Sequence, residues 1–164
     1  MARAEILLAI AAIVILGIFS FVFRDILLDD DNREAEAEYQ IMALNLLDKF
    51  IDQVALKSFD EASANGIPNG IPGSFTTPSN LGPEANEIYP YFDDVDDYHN
   101  FSITDTSSSG MDYTITVELG YVTIDDTENF SSTQSNMKRM NVSIISTLFP
   151  NEMHLSRIFS YYRN

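Results

Sequence analysis

The sequence begins with an apolar stretch that no charged residue interrupts. Ile6–Phe23 contains eighteen residues, which as an α-helix would extend over roughly 27 Å, close to the hydrocarbon thickness of a bilayer. Charged residues stand on both sides of it. A soluble domain of this size cannot cover such a rod. The pattern therefore predicts a hydrophobic helix, residues 1–24, that lies in lipid or against copies of itself.

The following segment, 25–61, continues with helix-forming residues but is apolar on one side only. No proline or glycine occurs between Gly17 and Gly66. Apolar residues recur mostly four apart, at Tyr39, Met42, Leu46, Phe50 and Val54. This spacing predicts an amphipathic half of the same helix, with its apolar stripe against a small domain.

Residues 62–164 change in character and predict a globular β-domain. Five of the six prolines lie within 62–100, which indicates an irregular loop region. Residues 101–164 alternate apolar and polar positions, most clearly in Tyr113–Val122, and predict antiparallel strands, with a turn at Pro150–Asn151 before the last one. The predicted fold class is α+β, with a long N-terminal helix packed against a C-terminal antiparallel sheet.

Charge and cysteine content exclude several classes of partner. The formal net charge is −16, and the interval between Lys57 and Lys138 contains no Lys or Arg but 14 acidic residues. Binding to nucleic acid along this surface is electrostatically opposed. Cysteine is absent, so neither disulfides nor thiolate metal sites can form.

The candidate chemistry of the domain is confined to clusters of carboxylates. The densest cluster is predicted as a candidate Ca²⁺ site, because calcium prefers oxygen ligands, and consists of Asp93, Asp94, Asp96 and Asp97. The alternative is an acidic turn whose aspartates accept backbone N–H groups. A sparser cluster comprises Asp125, Asp126 and Glu128. No set of catalytic residues is present, and we expect no enzymatic activity and no other cofactor.

These features together resemble the type IV pilin superfamily. One part of the likeness is Glu5, which stands before the unbroken apolar run and the amphipathic helix. The other is the segment FDDVDDY, Phe92–Tyr98, followed by the strand YTITVELGYV. A similar FDDVDDY segment occurs in minor-pilin-like proteins, including those of the mannose-sensitive haemagglutinin pilus type.

The resemblance implies a structural subunit of an extracellular pilus-like filament for adhesion, motility or biofilm formation. The chain would polymerise with itself through its N-terminal helix, with Met1 and Glu5 as assembly residues and Glu5 facing the N-terminal amine of a neighbouring subunit. Other expected partners are the pilus assembly machinery, a prepilin peptidase and, before assembly, the cytoplasmic membrane. The usual Phe-Thr-Leu start is replaced by Met1-Ala2-Arg3, which leaves the branch of the superfamily open.

Two other functions remain as alternatives. The first is a minor pilin or pseudopilin, present in a few copies in a pilus or a type II secretion-like machine. The second is a membrane-anchored binding module whose β-domain recognises a ligand.

Overall fold

The computed structural model of the chain describes residues 2–66, 69 and 71–162, without the side chains of residues 2, 25–32 and 150. Contacts within the chain divide it into two compact units, Met1–Tyr39 and Gln40–Asn164.

The first unit is helical and exposes its apolar side chains. Helix α1 begins at Ala2 and ends at Val54, so it supplies all the described residues of this unit. Thirteen large apolar side chains between Ile6 and Phe23 are 50–72% exposed. The segment Arg3–Arg24 is long and apolar enough to cross a membrane, as judged by length and composition.

The second unit contains a four-stranded antiparallel sheet with the strand order β1-β2-β3-β4. The strands are β1 Ser102–Thr106, β2 Asp112–Tyr121, β3 Met137–Ser146 and β4 Phe149–Ser160. Each strand pairs with the next one along the chain. The predicted α+β class and the antiparallel arrangement are therefore confirmed.

The core of the second unit lies between one face of the sheet and the last turns of α1. Cross-strand pairs such as Val117 with Val142 and Leu119 with Met140 are buried on the inner face. Helix residues that are buried in the same unit are Ala43, Leu47, Phe50, Ile51 and Val54. The ring of Phe50 lies 5.7 Å from that of Tyr98, centroid to centroid. Of the apolar stripe predicted from the helical spacing, Phe50 and Val54 are thus buried in the domain, and Met42 and Leu46 are half-buried.

The helix ends earlier than the sequence pattern predicted. We expected an amphipathic helix over 25–61, but α1 ends at Val54 and a separate short helix, α2, follows at Glu61–Ala64. The reason is a tertiary contact. Ser58 N–H donates to the Asp93 carbonyl at 3.1 Å, and the Ser58 carbonyl accepts from Val95 N–H at 3.0 Å. These bonds replace the helical partners of the Ser58 backbone, so the helix cannot continue.

The turn before the last strand was also predicted wrongly. The turn residues are Thr147 and Leu148, and Pro150 and Asn151 belong to β4. Ser146 pairs with Phe149 across this tight turn. Proline lacks a backbone N–H, but β4 is an edge strand with a neighbour on one side only, where proline is tolerated.

Candidate functional site

The FDDVDDY segment lies beside the chain that connects α1 to α2. The hydrogen bonds of Ser58 hold its backbone there, and the segment then closes in a 3-10 turn at Asp96–Tyr98. Asp94, Asp96 and Asp97 are buried, with at most 1% of each residue exposed. This differs from an ordinary solvated acidic turn.

Two of these aspartates cap the segment's own backbone. Asp94 Oδ1 accepts hydrogen bonds from the N–H groups of Asp96 and Asp97 at 2.6 and 3.2 Å. Asp97 Oδ2 accepts from the N–H groups of Asp93 and Asp94 at 3.0 and 3.3 Å. Each carboxylate therefore uses one oxygen for capping. The other oxygen of each, Asp94 Oδ2 and Asp97 Oδ1, is buried and has no hydrogen-bond partner among the described residues.

Lys138, on β3, is fully buried beside the same segment. Its Nζ donates to the Phe59 carbonyl at 2.9 Å, to Asp60 Oδ2 at 2.7 Å and to Asp96 Oδ1. The three N–H groups of the ammonium are therefore all used. The ammonium also lies 4.4 Å from the centre of the Phe59 ring, within the range of a cation–π interaction. Lys138 thus joins the sheet to the α1–α2 connection and to the FDDVDDY segment.

Asp60 is the most fully bonded of the buried carboxylates. It is the N-cap of α2 and accepts from Ala62 N–H at 3.1 Å and from Thr76 N–H at 3.0 Å. The Tyr121 hydroxyl lies 2.9 Å from its Oδ2. Burial acts to raise the pKa of Asp60, but the Lys138 ammonium and the hydrogen bonds outweigh it and hold the pKa below its usual value.

Asp96 shares the same lysine but has a different environment. Burial raises its pKa to about 7, even though Lys138 acts in the opposite direction. Its Oδ2 has no hydrogen-bond partner within the described part of the chain. Two buried carboxylates therefore face one ammonium, and a proton on Asp96 would neutralise the excess charge.

A second set of carboxylates, named here the carboxylate cluster, includes three aspartates of the FDDVDDY segment. It comprises Glu61, Glu84, Glu87, Asp93, Asp94 and Asp97. These residues form three overlapping groups of three, and within each group one oxygen from each residue lies within 4.8 Å of those of the other two. The groups are Glu61 with Asp93 and Asp94, Glu61 with Glu84 and Glu87, and Glu87 with Asp93 and Asp97. Residues from α2, from the irregular loop region and from the FDDVDDY segment thus meet at one place.

Burial, together with the neighbouring carboxylates, raises the pKa values of three members of the cluster. Burial, followed by the charges of Asp96 and Asp97, raises the pKa of Asp94 to about 8. Burial and a hydrogen bond with Glu87 raise the pKa of Glu84 to about 8. Burial, with the contact to Glu87 as a further cause, raises that of Asp97 to about 6. Each shift reports that the ionised form lacks a compensating positive charge.

The four aspartates predicted as a site are therefore divided between two groups. Asp93, Asp94 and Asp97 belong to the carboxylate cluster, whereas the structure gives Asp96 another partner, Lys138. In the sparser cluster, Asp126 caps its own loop by accepting from the N–H groups of Glu128 and Asn129 at 3.1 and 3.0 Å. The side chains of this sparser cluster, Asp125, Asp126 and Glu128, are exposed.

The two predicted assembly residues lie in the first unit. Glu5 is an exposed residue in the first turn of α1, directly before the exposed apolar stretch. Met1 lies outside the described residues.

Sequence reasoning missed five residues of the site. A signal for Lys138 was present, because it is in phase with the inward-facing Met140, Val142 and Ile144 of the same strand. No comparable signal existed for Asp60, Glu61, Glu84 and Glu87. They come from separate parts of the chain between α1 and the FDDVDDY segment, and only tertiary folding brings them together.

A comparison with protein-family models found no match, and searches among curated proteins and solved structures found none either. The likeness to type IV pilins therefore rests on the sequence features given above.

Proposed function

We propose that the chain is a structural subunit of an extracellular, type IV pilus-like filament that polymerises through its N-terminal helix. The observation that carries the proposal is the exposure of the thirteen large apolar side chains between Ile6 and Phe23. Burying them would release on the order of 20 kcal/mol. No water-soluble monomer retains so large an apolar surface, so the segment needs either lipid or other chains around it.

The apolar segment suits both lipid and the interior of a filament. Arg3–Arg24 spans 22 residues, which gives a helix of about 33 Å, enough to cross the hydrocarbon core of a membrane. Helices that are apolar all round can equally pack side by side as the core of a fibre. A subunit held first in the cytoplasmic membrane and then transferred to a filament would exchange one apolar environment for the other.

Glu5 would set the register in which a subunit packs against its neighbour in the filament. A carboxylate beside an apolar core is costly unless a cation compensates it. The resemblance to pilins suggests the cation, namely the free α-amino group of an adjacent subunit. Because the amine of one subunit would pair with the carboxylate of the next, the contact is heterologous and generates an open helical polymer.

The second unit suits the outside of such a filament. Its acidic residues, within a net charge of −16, favour solubility at high local concentration and oppose association with nucleic acid. The sheet and loops would then provide the surface for adhesion, motility or biofilm cohesion. We assign no catalytic activity to it.

Electron microscopy of material sheared from cells tests the proposal. We expect filaments in which mass spectrometry finds this chain as the dominant protein. The variant Glu5→Gln should remain in the membrane and form no filaments, because it loses the charge that pairs with the neighbouring amine. Glu38→Gln, an exposed charge change on the same helix, serves as the matched control and should assemble normally.

The alternatives give different results in the same experiment. A minor pilin or pseudopilin would appear as a trace component of filaments built from another protein. A membrane-anchored binding module would remain in the membrane fraction as a single chain and would leave no fibres. Normal filaments from Glu5→Gln would refute the assembly role of Glu5.

A further inference from the structure

We propose that the carboxylate cluster is a calcium site, formed by Glu61, Glu84, Glu87, Asp93, Asp94 and Asp97. This goes beyond the proposed role in a filament and does not depend on it. The ligand set differs from the one the sequence suggested, since three glutamates join and Asp96 is excluded by its bond to Lys138.

Within each group, the oxygens are spaced as ligands of one Ca²⁺ would be. Two oxygens bound to one Ca²⁺ at about 2.3–2.6 Å lie at most about 5 Å apart. Within each of the three groups the oxygens lie within 4.8 Å of one another. Each of Glu61, Glu87 and Asp93 belongs to two groups, so the three groups adjoin one another through these shared residues.

Buried oxygens without partners give evidence that is independent of the spacing. Asp94 is 0% exposed and Asp97 is 1% exposed, and one oxygen of each has no hydrogen-bond partner among the residues that the structure describes. Glu61 Oε2 and Glu84 Oε2 are also buried atoms without such a partner, in residues that are themselves half-buried. A buried ionised oxygen without a partner is energetically unfavourable. A bound cation would lower this cost for each oxygen that it contacts.

Several of these carboxylates also face one another. An oxygen of Glu84 lies within 4.8 Å of one of Glu87, and an oxygen of Glu87 lies within 4.8 Å of one of Asp97. Ionised carboxylates only accept hydrogen bonds, so a proton or a metal ion between such oxygens stabilises them. The neighbouring ammonium of Lys138 is already used by Phe59, Asp60 and Asp96.

The donor set selects the metal. All six side chains offer hard oxygen ligands, which favour Ca²⁺ or Mg²⁺ over transition metals. Mg²⁺ is usually held by one or two carboxylates and keeps several waters, whereas Ca²⁺ accepts six to eight oxygens in irregular geometry. Adjoining groups of carboxylates from α2, the loop region and the FDDVDDY segment fit Ca²⁺ better than Mg²⁺.

The bound ion would fasten the irregular part of the domain. Glu61 belongs to α2, Glu84 and Glu87 to the loop region, and Asp93, Asp94 and Asp97 to the FDDVDDY segment. Calcium would thus join these three segments.

Calorimetric titration and thermal unfolding of the full-length protein in detergent, after removal of metal with a chelator, test the proposal. In the titration we expect Ca²⁺ to bind. In thermal unfolding we expect CaCl₂ to raise the melting temperature and MgCl₂ to raise it less. The double variant E87Q/D93N should weaken Ca²⁺ binding by at least about tenfold. The matched control D125N/E128Q also removes two negative charges, from the exposed β2–β3 loop, and should change the affinity by less than about twofold.

Stability measured with and without calcium separates a metal ligand from a merely structural residue. In chelator, E87Q/D93N should be at least as stable as the natural chain, because it removes repulsion between like charges. In calcium the order should reverse. Absence of calcium binding by the natural chain, an equal effect of magnesium, or equal destabilisation of the variant in both conditions would each overturn the proposal.

Discussion

Replacement of the buried lysine by a neutral residue of similar length, Lys138→Met, should destabilise the domain strongly. The side chain is fully buried and its ammonium touches both Asp60 and Asp96. Without it, two buried carboxylates lose their cation. Removing one partner of a buried ion pair typically costs about 3–5 kcal/mol, which for a domain of this size corresponds to a fall in melting temperature of roughly 10–20 °C.

Urea unfolding of the full-length protein in detergent measures this change. The chain contains eight tyrosines and no tryptophan, so tyrosine fluorescence follows the transition. Lys49→Met removes an exposed lysine from α1 and serves as the control, with an expected change within about 0.5 kcal/mol. The triple variant K138M/D60N/D96N should recover part of the loss, because it also removes the uncompensated charges.

The reasoning would be refuted if Lys138→Met unfolded at a urea concentration close to that of the natural chain and of Lys49→Met. Such a result would mean that Lys138 contributes no more than an exposed lysine. It would contradict the conclusion that Lys138 joins the sheet to the α1–α2 connection and to the FDDVDDY segment.

Two further predictions concern the buried carboxylates Asp60, Asp96 and Asp94. Asp60→Asn should cost more unfolding free energy than Asp96→Asn, because Asp60 also accepts from Ala62, Thr76 and Tyr121; equal urea midpoints would contradict this. In chelator, stability should fall as the pH rises from about 5 to 8. Burial and the charges of Asp96 and Asp97, opposed by Lys138, raise the pKa of Asp94 to about 8 from 3.8, so in this window the folded state binds more protons than the unfolded state. Melting temperatures that rise over this range would contradict the second prediction.

The regular parts of the fold could be predicted because side-chain periodicity carries the information. The alternation of β2 and β3 gave the buried face, and the helical spacing of Leu46, Phe50 and Val54 gave the stripe of α1 that packs on it. These patterns depend on local backbone geometry, with periods of 2 and 3.6 residues.

The irregular parts could not be predicted in the same way. The end of α1 depends on hydrogen bonds between Ser58 and the distant residues Asp93 and Val95. The local sequence after Val54 contains no helix-breaking residue that would announce this. The carboxylate cluster likewise depends on how Glu61, Glu84 and Glu87 are brought together by the loop region.

The burial of Lys138 could be predicted only in part. Its place in the alternating pattern of β3 indicated an inward orientation, but a lysine is normally solvated and its charge argued for the surface. Only the presence of Asp60 and Asp96 on facing segments explains why the buried position is stable. Neither partner could be assigned from the sequence.

The most direct test of the proposed function is photo-cross-linking from within the apolar segment. Phe19, which is 68% exposed in the single chain, would be replaced by a photoreactive phenylalanine derivative in cells that assemble the protein. The account predicts that irradiated filaments yield covalent dimers and higher multimers, with the cross-link mapped to residues 6–23 of a second copy. Monomers cross-linked to lipid alone, with no link between chains, would contradict it.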